Sequence, residues 1–264
     1  MSREITSALV WFRNDLRVED HSGLNRAIKS CDAIIAYYSF NPSHYYEIKW
    51  GFKKTEKYRA NFLIESVKDL EAELKKLNIT LIIDLKSPQQ TIPEIVKKYQ
   101  VKSIYLQREW TVEEVKEEKE VFDAIDDNIN WVRHYEQMLF SPEELPFDIT
   151  HTPEVFGSFR KRCEKEVTVK PLKALPKPLP SSNLLEKSYE LPQLSDIGLE
   201  NNETDYRSAF PFSGGTTNAM KRLRNYFWET KKLSYYKNTR NGLIGTDYSS
   251  KFSPWLANGS ISPK

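Results

Sequence analysis

The chain has only two cysteines in 264 residues. Cys31 and Cys163 stand far apart, with neither a CxxC pair nor cysteine and histidine at zinc-ligand spacing. A disulfide framework and a structural metal site are therefore excluded, and both residues are read as ordinary buried thiols. Nor does any apolar run approach the about 20 residues that a membrane-spanning helix needs. Met1-Ser2-Arg3-Glu4 leads directly into an apolar strand pattern, without the features of a signal peptide. A soluble, globular, cytoplasmic chain is expected. No internal repeat is found, and no GxGxxG follows the first apolar run. The turn there reads Arg13-Asn14-Asp15-Leu16-Arg17, which disfavours ordinary dinucleotide binding in the N-terminal half.

Hydrophobic residues make up 39% and charged residues 29% of the chain, a balance that supports a packed core rather than disorder. The length suffices for one large domain, or for one domain and part of a second. A formal net charge of +2 conceals an asymmetry. From Arg207 to Lys264, ten Lys and Arg face only Glu229 and Asp247, a surplus of eight that leaves the preceding residues at minus six. Such a basic segment is either a solvated face or a binding face for phosphate, carried by a nucleotide or a nucleic acid.

The first half alternates apolar runs with amphipathic stretches. Strands are predicted over 7–12, 33–40, 80–84, 103–107 and 131–135, and helices over 22–30, 53–77, 92–100 and 112–125. Five β/α steps in this order predict an α/β class fold: a doubly wound, five-stranded parallel sheet, Rossmann-like, with ligands at the carboxyl ends of the strands. A short helix is predicted over 153–166. From 171 to about 203 the chain becomes rich in Pro, Ser and Leu and loses periodicity, as in a linker packed against the outside of the first domain. Helical spacing resumes over 216–232, where Ala219, Leu223, Tyr226 and Phe227 recur. The expected division is an α/β domain over 1–140, a linker with a short helix over 141–210, and the beginning of a helical domain over 211–264.

The segment from Tyr235 to Leu256 carries the most chemistry. Ser253 before Pro254 and an apolar run reads as a helix start, with serine as the N-cap and proline at the first helical position. Ser249, Ser250 and Lys251 precede it, adding two hydroxyls and a fixed positive charge beside free backbone N–H groups. That combination is a ready site for a phosphate or pyrophosphate. A solvent-capped helix accounts for Ser253-Pro254 alone, but not for the clustered serines and lysine.

These residues carry a resemblance. Phe210-Pro211-Phe212-Ser213-Gly214-Gly215, Tyr226-Phe227-Trp228, Tyr236 to Gly242 and Asp247 to Leu256 are similar to the DASH-type members of the photolyase/cryptochrome flavoproteins, where the chain enters the FAD-binding domain. The opening Val10-Trp11-Phe12-Arg13-Asn14-Asp15-Leu16-Arg17 resembles the WFRxDLR run of the same superfamily. Departures are local: Ser250 where threonine is usual, Asn258 where an apolar residue is expected, and Ser260 in place of cysteine. They bear on helix packing.

The resemblance implies an FAD held by Tyr236, Ser249, Ser250, Lys251, Phe252 and Ser253. It also implies a 5,10-methenyltetrahydrofolate antenna on a carboxylate after the fourth strand. Glu109, in the Gln107-Arg108-Glu109-Trp110 turn, is the first choice; Glu113 is the second, and reads equally as a surface residue opening a charged helix. A half-buried core tyrosine is the alternative for Tyr236. Arg13, Asp15, Arg17 and Asp20 are read as an ion-pair network fixing the turn, or as an interdomain contact. Lys221, Arg222, Arg224, Lys237 and Arg240 are read as DNA phosphate contacts or as solvated charges. The implied activity is light-driven repair of cyclobutane pyrimidine dimers in single-stranded DNA by electron transfer from reduced FAD. The alternatives are a blue-light receptor without repair and a flavin-free α/β nucleotide-binding or interaction module. No catalytic residue is assigned, because the residues beside flavin and lesion are expected beyond Lys264. The family's helical domain continues past that point, so the chain is expected to be a fragment without stable FAD or repair of its own. Trp228, Phe252 and Trp255 are then expected to be exposed, open to the missing chain or to self-association.

Overall fold

The computed structural model describes residues 6–125, 128–201, 203 and 205–264. Its five strands are β1 (Ser7–Trp11), β2 (Ala33–Ser39), β3 (Leu81–Asp84), β4 (Val101–Gln107) and β5 (Asn130–His134). Every pairing is parallel, in the order β3-β2-β1-β4-β5. Parallel neighbours need crossovers, here supplied by α1 (Ser22–Ser30), α2 (Lys57–Lys76), α3 (Pro88–Tyr99) and α4 (Val112–Asp123). The central β1 reads Ser-Ala-Leu-Val-Trp and is buried throughout, as a strand covered on both faces must be. Ala8 and Val10 pack with Leu24 of α1 and Val67 and Leu70 of α2. Leu9 and Trp11 pack on the opposite face with Ile92 and Ile95 of α3 and Val121 of α4. The doubly wound expectation holds, and the strand order reverses between β1 and β4, where such folds open a ligand crevice.

Helix α3 begins a turn before its predicted start, because Pro88 after Ser87 takes the opening position of the helix. Of the two thiols only Cys163 is fully buried; Cys31 is half-exposed at the end of α1, a correction to the expectation for both. Helix α5 (Phe156–Glu166) precedes the aperiodic stretch. That stretch lies against the α/β core. Leu179 N–H donates to Leu77 O at 3.0 Å. The Asn183 side chain accepts from Ile34 N–H and donates to Ile34 O and Asn78 O, while Leu194 and Leu199 are buried. A side-chain amide and a few leucines thus do what a strand or helix would otherwise do for its backbone. Among the described residues, no helix is long and apolar enough to cross a membrane.

The last part comprises α6 (Thr216–Arg224), which continues into a π-helical turn (Asn225–Glu229), then α7 (Tyr236–Thr239) and α8 (Ser253–Ala257). The N-terminus of α6 is capped from α2. Gly214 N–H donates to Glu65 Oε2 at 2.7 Å, Gly215 N–H to Ser66 Oγ at 3.0 Å and Thr217 N–H to Asp69 Oδ2 at 3.0 Å. These are amides that a helix cannot satisfy itself. The close approach requires glycine: a Cβ on Gly214 would lie 2.1 Å from Phe62 O, and one on Gly215, at φ +94°, 2.5 Å from Asp69 Cβ.

Trp255 corrects a second expectation. It is fully buried, not exposed, because Phe62 of α2 and Phe210 and Phe212 close over its ring. Phe252 is half-buried and stacks on Phe227 with centroids 5.8 Å apart. Trp228 alone of the three is well exposed, at 62%.

Candidate functional site: two strand-end turns and an arginine-held loop

The turn leaving β1 is a buried polar network. Asp15 is fully buried, accepts from Arg13 N–H at 2.8 Å and pairs with His21 Nε2 at 2.9 Å. Burial alone would raise its pKa, but the His21 and His134 rings hold it well below the usual carboxylate range. Arg13 reaches α4, donating to Glu114 O at 2.7 Å and pairing with Glu118 and Glu117. Arg17 donates to Asp20 O and to Gly259 O. Asp20 in turn binds Lys264 Nζ and Lys173 N–H, each at 2.8 Å. Ion pairs fix the turn, as expected, and the turn also holds Gly259 and Lys264. Asn258 and Ser260 belong to the same contact. The Asn258 carbonyl accepts from Leu16 N–H, and its side chain donates to Ser66 Oγ and accepts from Ser260. The polar residue thereby finds polar partners.

Asp15, His21 and His134 place potential ligand atoms within 4.8 Å of one another. Leu24 N–H donates to His21 Nδ1 at 2.9 Å, so the ring's remaining N–H is at Nε2 and points at Asp15. That nitrogen has no lone pair for a cation. The cluster is a hydrogen-bonded network rather than a metal centre. His134 is buried beside it with neither ring nitrogen in a hydrogen bond and Nε2 3.7 Å from Asp15 Oδ2, and burial lowers its pKa below 6.5. Burial and the Lys54 charge lower His44 to about 4. The unfolded chain therefore takes up protons below pH 6.5 that the folded chain refuses, and these residues make stability fall as the pH drops. Burial raises the pKa of Glu109 and Glu117. Their contribution has the opposite sign and is regained toward pH 4.5. The histidine effect is thus read as a difference: His134→Gln should show a smaller fall in Tm from pH 7 to pH 5 than the unaltered protein. Equal falls would show that His134 does not set the slope.

Glu109 follows β4 at 4% exposure. Its carboxylate accepts from Asn14 N–H and Nδ2 at 3.3 and 3.1 Å and from Gln107 Nε2 at 3.3 Å, with Gln137 Nε2 at 3.5 Å. It ties the β4 exit to the β1 exit. Glu113 is instead exposed on α4 and paired with Lys54. A cleft of about 1130 Å³ opens beyond β1 and β2, with Tyr38, Arg59, Phe62, Glu113, Phe212 and Asn258 among its walls. Glu109 does not line it, and neither do Ser249 to Ser253.

Those residues form a separate loop. Tyr236 opens α7 and is 38% exposed. Thr239 Oγ1 ties α7 to the loop through Tyr248 O at 3.0 Å. Lys251 has φ 64°, and its Nζ lies 3.5 Å from the Tyr248 ring centroid. Phe252, in the right-handed region, is the N-cap of α8. The serine expected there, Ser253, is instead the first helical residue, and no side chain caps the turn. A left-handed residue followed by a right-handed one turns successive amides to one side, an arrangement suited to anions.

Arg222 is the residue that sequence reasoning misplaced. Read as a DNA phosphate contact or a solvated charge, it is 5% exposed and faces inward. Nε donates to Ser250 O at 3.2 Å, Nη1 to Asp247 Oδ1 at 3.1 Å and to Asn225 Oδ1 at 3.4 Å, and Nη2 to Thr246 O at 3.0 Å and Ser249 O at 3.1 Å. All five donors of the guanidinium are used. Its central carbon lies about 5 Å from the ring centroids of both Phe212 and Tyr226. The signal was present in the sequence: Ala219, Arg222 and Tyr226 share one helical stripe, and the two neighbours are apolar.

Comparison with known proteins agrees with this architecture. The DNA photolyase family model matches residues 8–180. The chain is 39% identical to a cryptochrome DASH of Gloeobacter violaceus, over 98% of this chain and 52% of that protein. It is 41% identical to a cryptochrome DASH of Synechocystis, over 98% and 53% respectively. The crystal structure of a Synechocystis cryptochrome superposes with a TM-score of 0.91 at 40% identity, covering all of this chain and 55% of that one. A class III photolyase from Agrobacterium tumefaciens, 20% identical, shares the fold with a TM-score of 0.78, over all of this chain and 52% of that one. The chain spans about half the length of the relatives it matches. With a family match that runs from β1 into the linker and high similarity to cryptochrome DASH proteins along its length, the chain belongs to the DNA photolyase family.

Proposed function

We propose that the chain is the antenna-type α/β part, the linker and the first FAD-binding segment of a blue-light flavoprotein, divided at about 140 and 210. The observation that supports this best is the loop from Ser249 to Ser253. Ser249 and Ser250 are engaged through their carbonyls, and the hydroxyls of Ser249, Ser250 and Ser253 are without partners among the described residues. Lys251 adds a cation beside outward-turned amides. This donor set fits the pyrophosphate of FAD. Tyr236, on the adjoining α7, would offer its half-exposed ring to the same molecule.

Bound in its reduced form, the flavin would supply the photoexcited electron that splits a pyrimidine dimer. The chain's own part is to grip the phosphates and to present basic residues to single-stranded DNA. Lys221, Arg224, Lys237 and Arg240 remain available for that; Arg222 does not. A 5,10-methenyltetrahydrofolate antenna on Glu109 completes the reading, with one requirement set by geometry: the pterin edge must replace the amides of Asn14 and Gln137 on a sealed carboxylate.

The test is a titration of the 264-residue protein with FAD, followed by gel filtration and an assay of light-dependent repair on a dimer-containing single-stranded oligonucleotide. Saturable binding that ADP competes for is expected, with the flavin lost on the column and no repair. Lack of any saturable binding would remove the phosphate loop. Stoichiometric retention with repair would show that this length suffices, and retention without repair favours a light receptor. Titration with the folate, whose spectrum is distinct, should give binding that Glu109→Ala abolishes while FAD binding persists. Folate binding unaffected by that change would move the antenna elsewhere, for instance to the cleft walled by Tyr38 and Arg59.

A further inference from the structure

We propose that Arg222 is the positioning residue of the phosphate-binding loop: without touching the ligand, it sets the outward direction of the amides that receive a pyrophosphate. The proposal rests on the flavin reading above and goes beyond it, because it places the determinant of affinity on the buried side of the loop.

The argument follows from peptide geometry. In a trans peptide the C=O and the following N–H point in opposite directions. Arg222 draws the carbonyls of Thr246, Ser249 and Ser250 inward. The N–H groups of Asp247, Ser250 and Lys251 must therefore point outward, and none of them makes a hydrogen bond among the described residues. Three unpaired amides that face away from Arg222, in the same short loop as the Lys251 ammonium, are donors for an anion. Nothing within the loop itself enforces that direction. It contains Gly245 at φ 82° and Lys251 at φ 64°, and among the described residues the contacts of its side chains with one another are those of Thr246 with Asp247 and of Lys251 with Tyr248.

Only an arginine can hold this shape. The three carbonyls and the Asp247 carboxylate accept from a planar fork whose orientation they fix, and the fork packs on both Phe212 and Tyr226. A lysine at 222 would bring three donors on a flexible stem and would serve at most part of the set. The hold is mutual: a guanidinium buried this deeply needs all its partners, so arginine and loop order each other.

The experiment compares the unaltered protein with Arg222→Lys, Arg222→Met and Asp247→Asn. Order of the 246–251 backbone is followed by the 15N heteronuclear NOE, and binding of ADP, FAD and adenosine is measured at equilibrium. In Arg222→Lys and Arg222→Met, the NOE over 246–251 should fall toward the values of a flexible segment, and affinity for ADP and FAD should fall by about tenfold or more, the scale of losing one or two charge-assisted hydrogen bonds. Adenosine, which lacks the phosphates, should bind as before; a general loss of structure would weaken all three ligands together. Asp247→Asn keeps the three carbonyl contacts, so it should have the smallest effect, and it remains informative if Arg222→Met fails to fold. An unchanged NOE in both Arg222 variants overturns the proposal. So does a lower NOE with unchanged ADP affinity, because loop shape would then not govern binding. If the unaltered protein binds no ADP, the flavin reading fails and this proposal with it, while the NOE still reports whether Arg222 orders the loop.

Discussion

Trp255→Ala is expected to destabilise the protein by about 3–5 kcal/mol, the range for removing a large aromatic side chain from a packed core. The ring has no exposed surface and contacts Phe62, Phe210 and Phe212 at centroid distances of 5.9, 5.3 and 5.7 Å. Alanine would leave a cavity between α2, the 210–213 segment and α8, and these come from distant parts of the chain and have little freedom to collapse inward. It would also strip the Ser213 carbonyl of its donor, Trp255 Nε1, now at 3.1 Å. For a chain of this size the change corresponds to a fall in Tm of roughly 10 °C. Urea unfolding of Trp255→Ala beside Trp255→Phe separates the two terms, since phenylalanine keeps much of the volume and loses only the hydrogen bond. A loss under about 1 kcal/mol in the alanine variant would mean that the cluster repacks freely.

Asp15→Ala should be comparably harmful for a different reason. The carboxylate accepts from Arg13 N–H and from His21 Nε2 in a region with no access to water. Deleting it strands two buried donors, each costing about 1–3 kcal/mol when left unsatisfied. Asp15→Asn restores one acceptor, but it sets an amide N–H against a donor on the other side; it should recover only part of the loss. The measurement is again denaturant unfolding, and near-equality of Asn with the unaltered protein would show that the charge is dispensable. The depressed pKa of Asp15 adds a sign. Its contribution is complete above the ordinary carboxylate pKa and is lost only as the pH falls far below it, so the gap between the unaltered protein and Asp15→Ala should persist at pH 5.

Most of the α/β body was legible because its signals are local. Buried parallel strands are short apolar runs, and the amphipathic helices between them start at recognisable caps, so Ser22–Ser30 matches its prediction at both ends and the strands differ by one or two residues. The aperiodic stretch was legible as one that packs on the outside of the α/β body, but its anchors were not, because the partners of Asn183, Ile34 and Asn78, are far away in sequence. Trp255 was misread for the same reason: an apolar ring in a short helical segment looks unpaired until Phe62 is brought to it. At the candidate site, the serines and Lys251 were visible as a cluster of phosphate-friendly side chains. Their support was not, because a basic residue among basic residues looks solvated. What distinguishes Arg222 is its place on the apolar stripe of α6, and what completes it are carbonyls, which every residue has and no sequence displays.

The capping of α6 by Glu65, Ser66 and Asp69 has a consequence for the order of events during synthesis. The acceptors on α2 are made first, and the amides they satisfy follow 149 residues later. At about 5–20 residues per second, that is a delay on the order of ten seconds. Through that interval α2 can fold onto the sheet, with its two carboxylates hydrated and the Ser66 hydroxyl turned to Phe62 O. Helix α6 has no such independence, since its first turn is completed by groups outside it and a nine-residue helix is marginal alone. The α/β body therefore acts as a template on which the final segment nucleates, and a nascent chain halted before residue 214 would display an acidic notch on α2 awaiting its glycines.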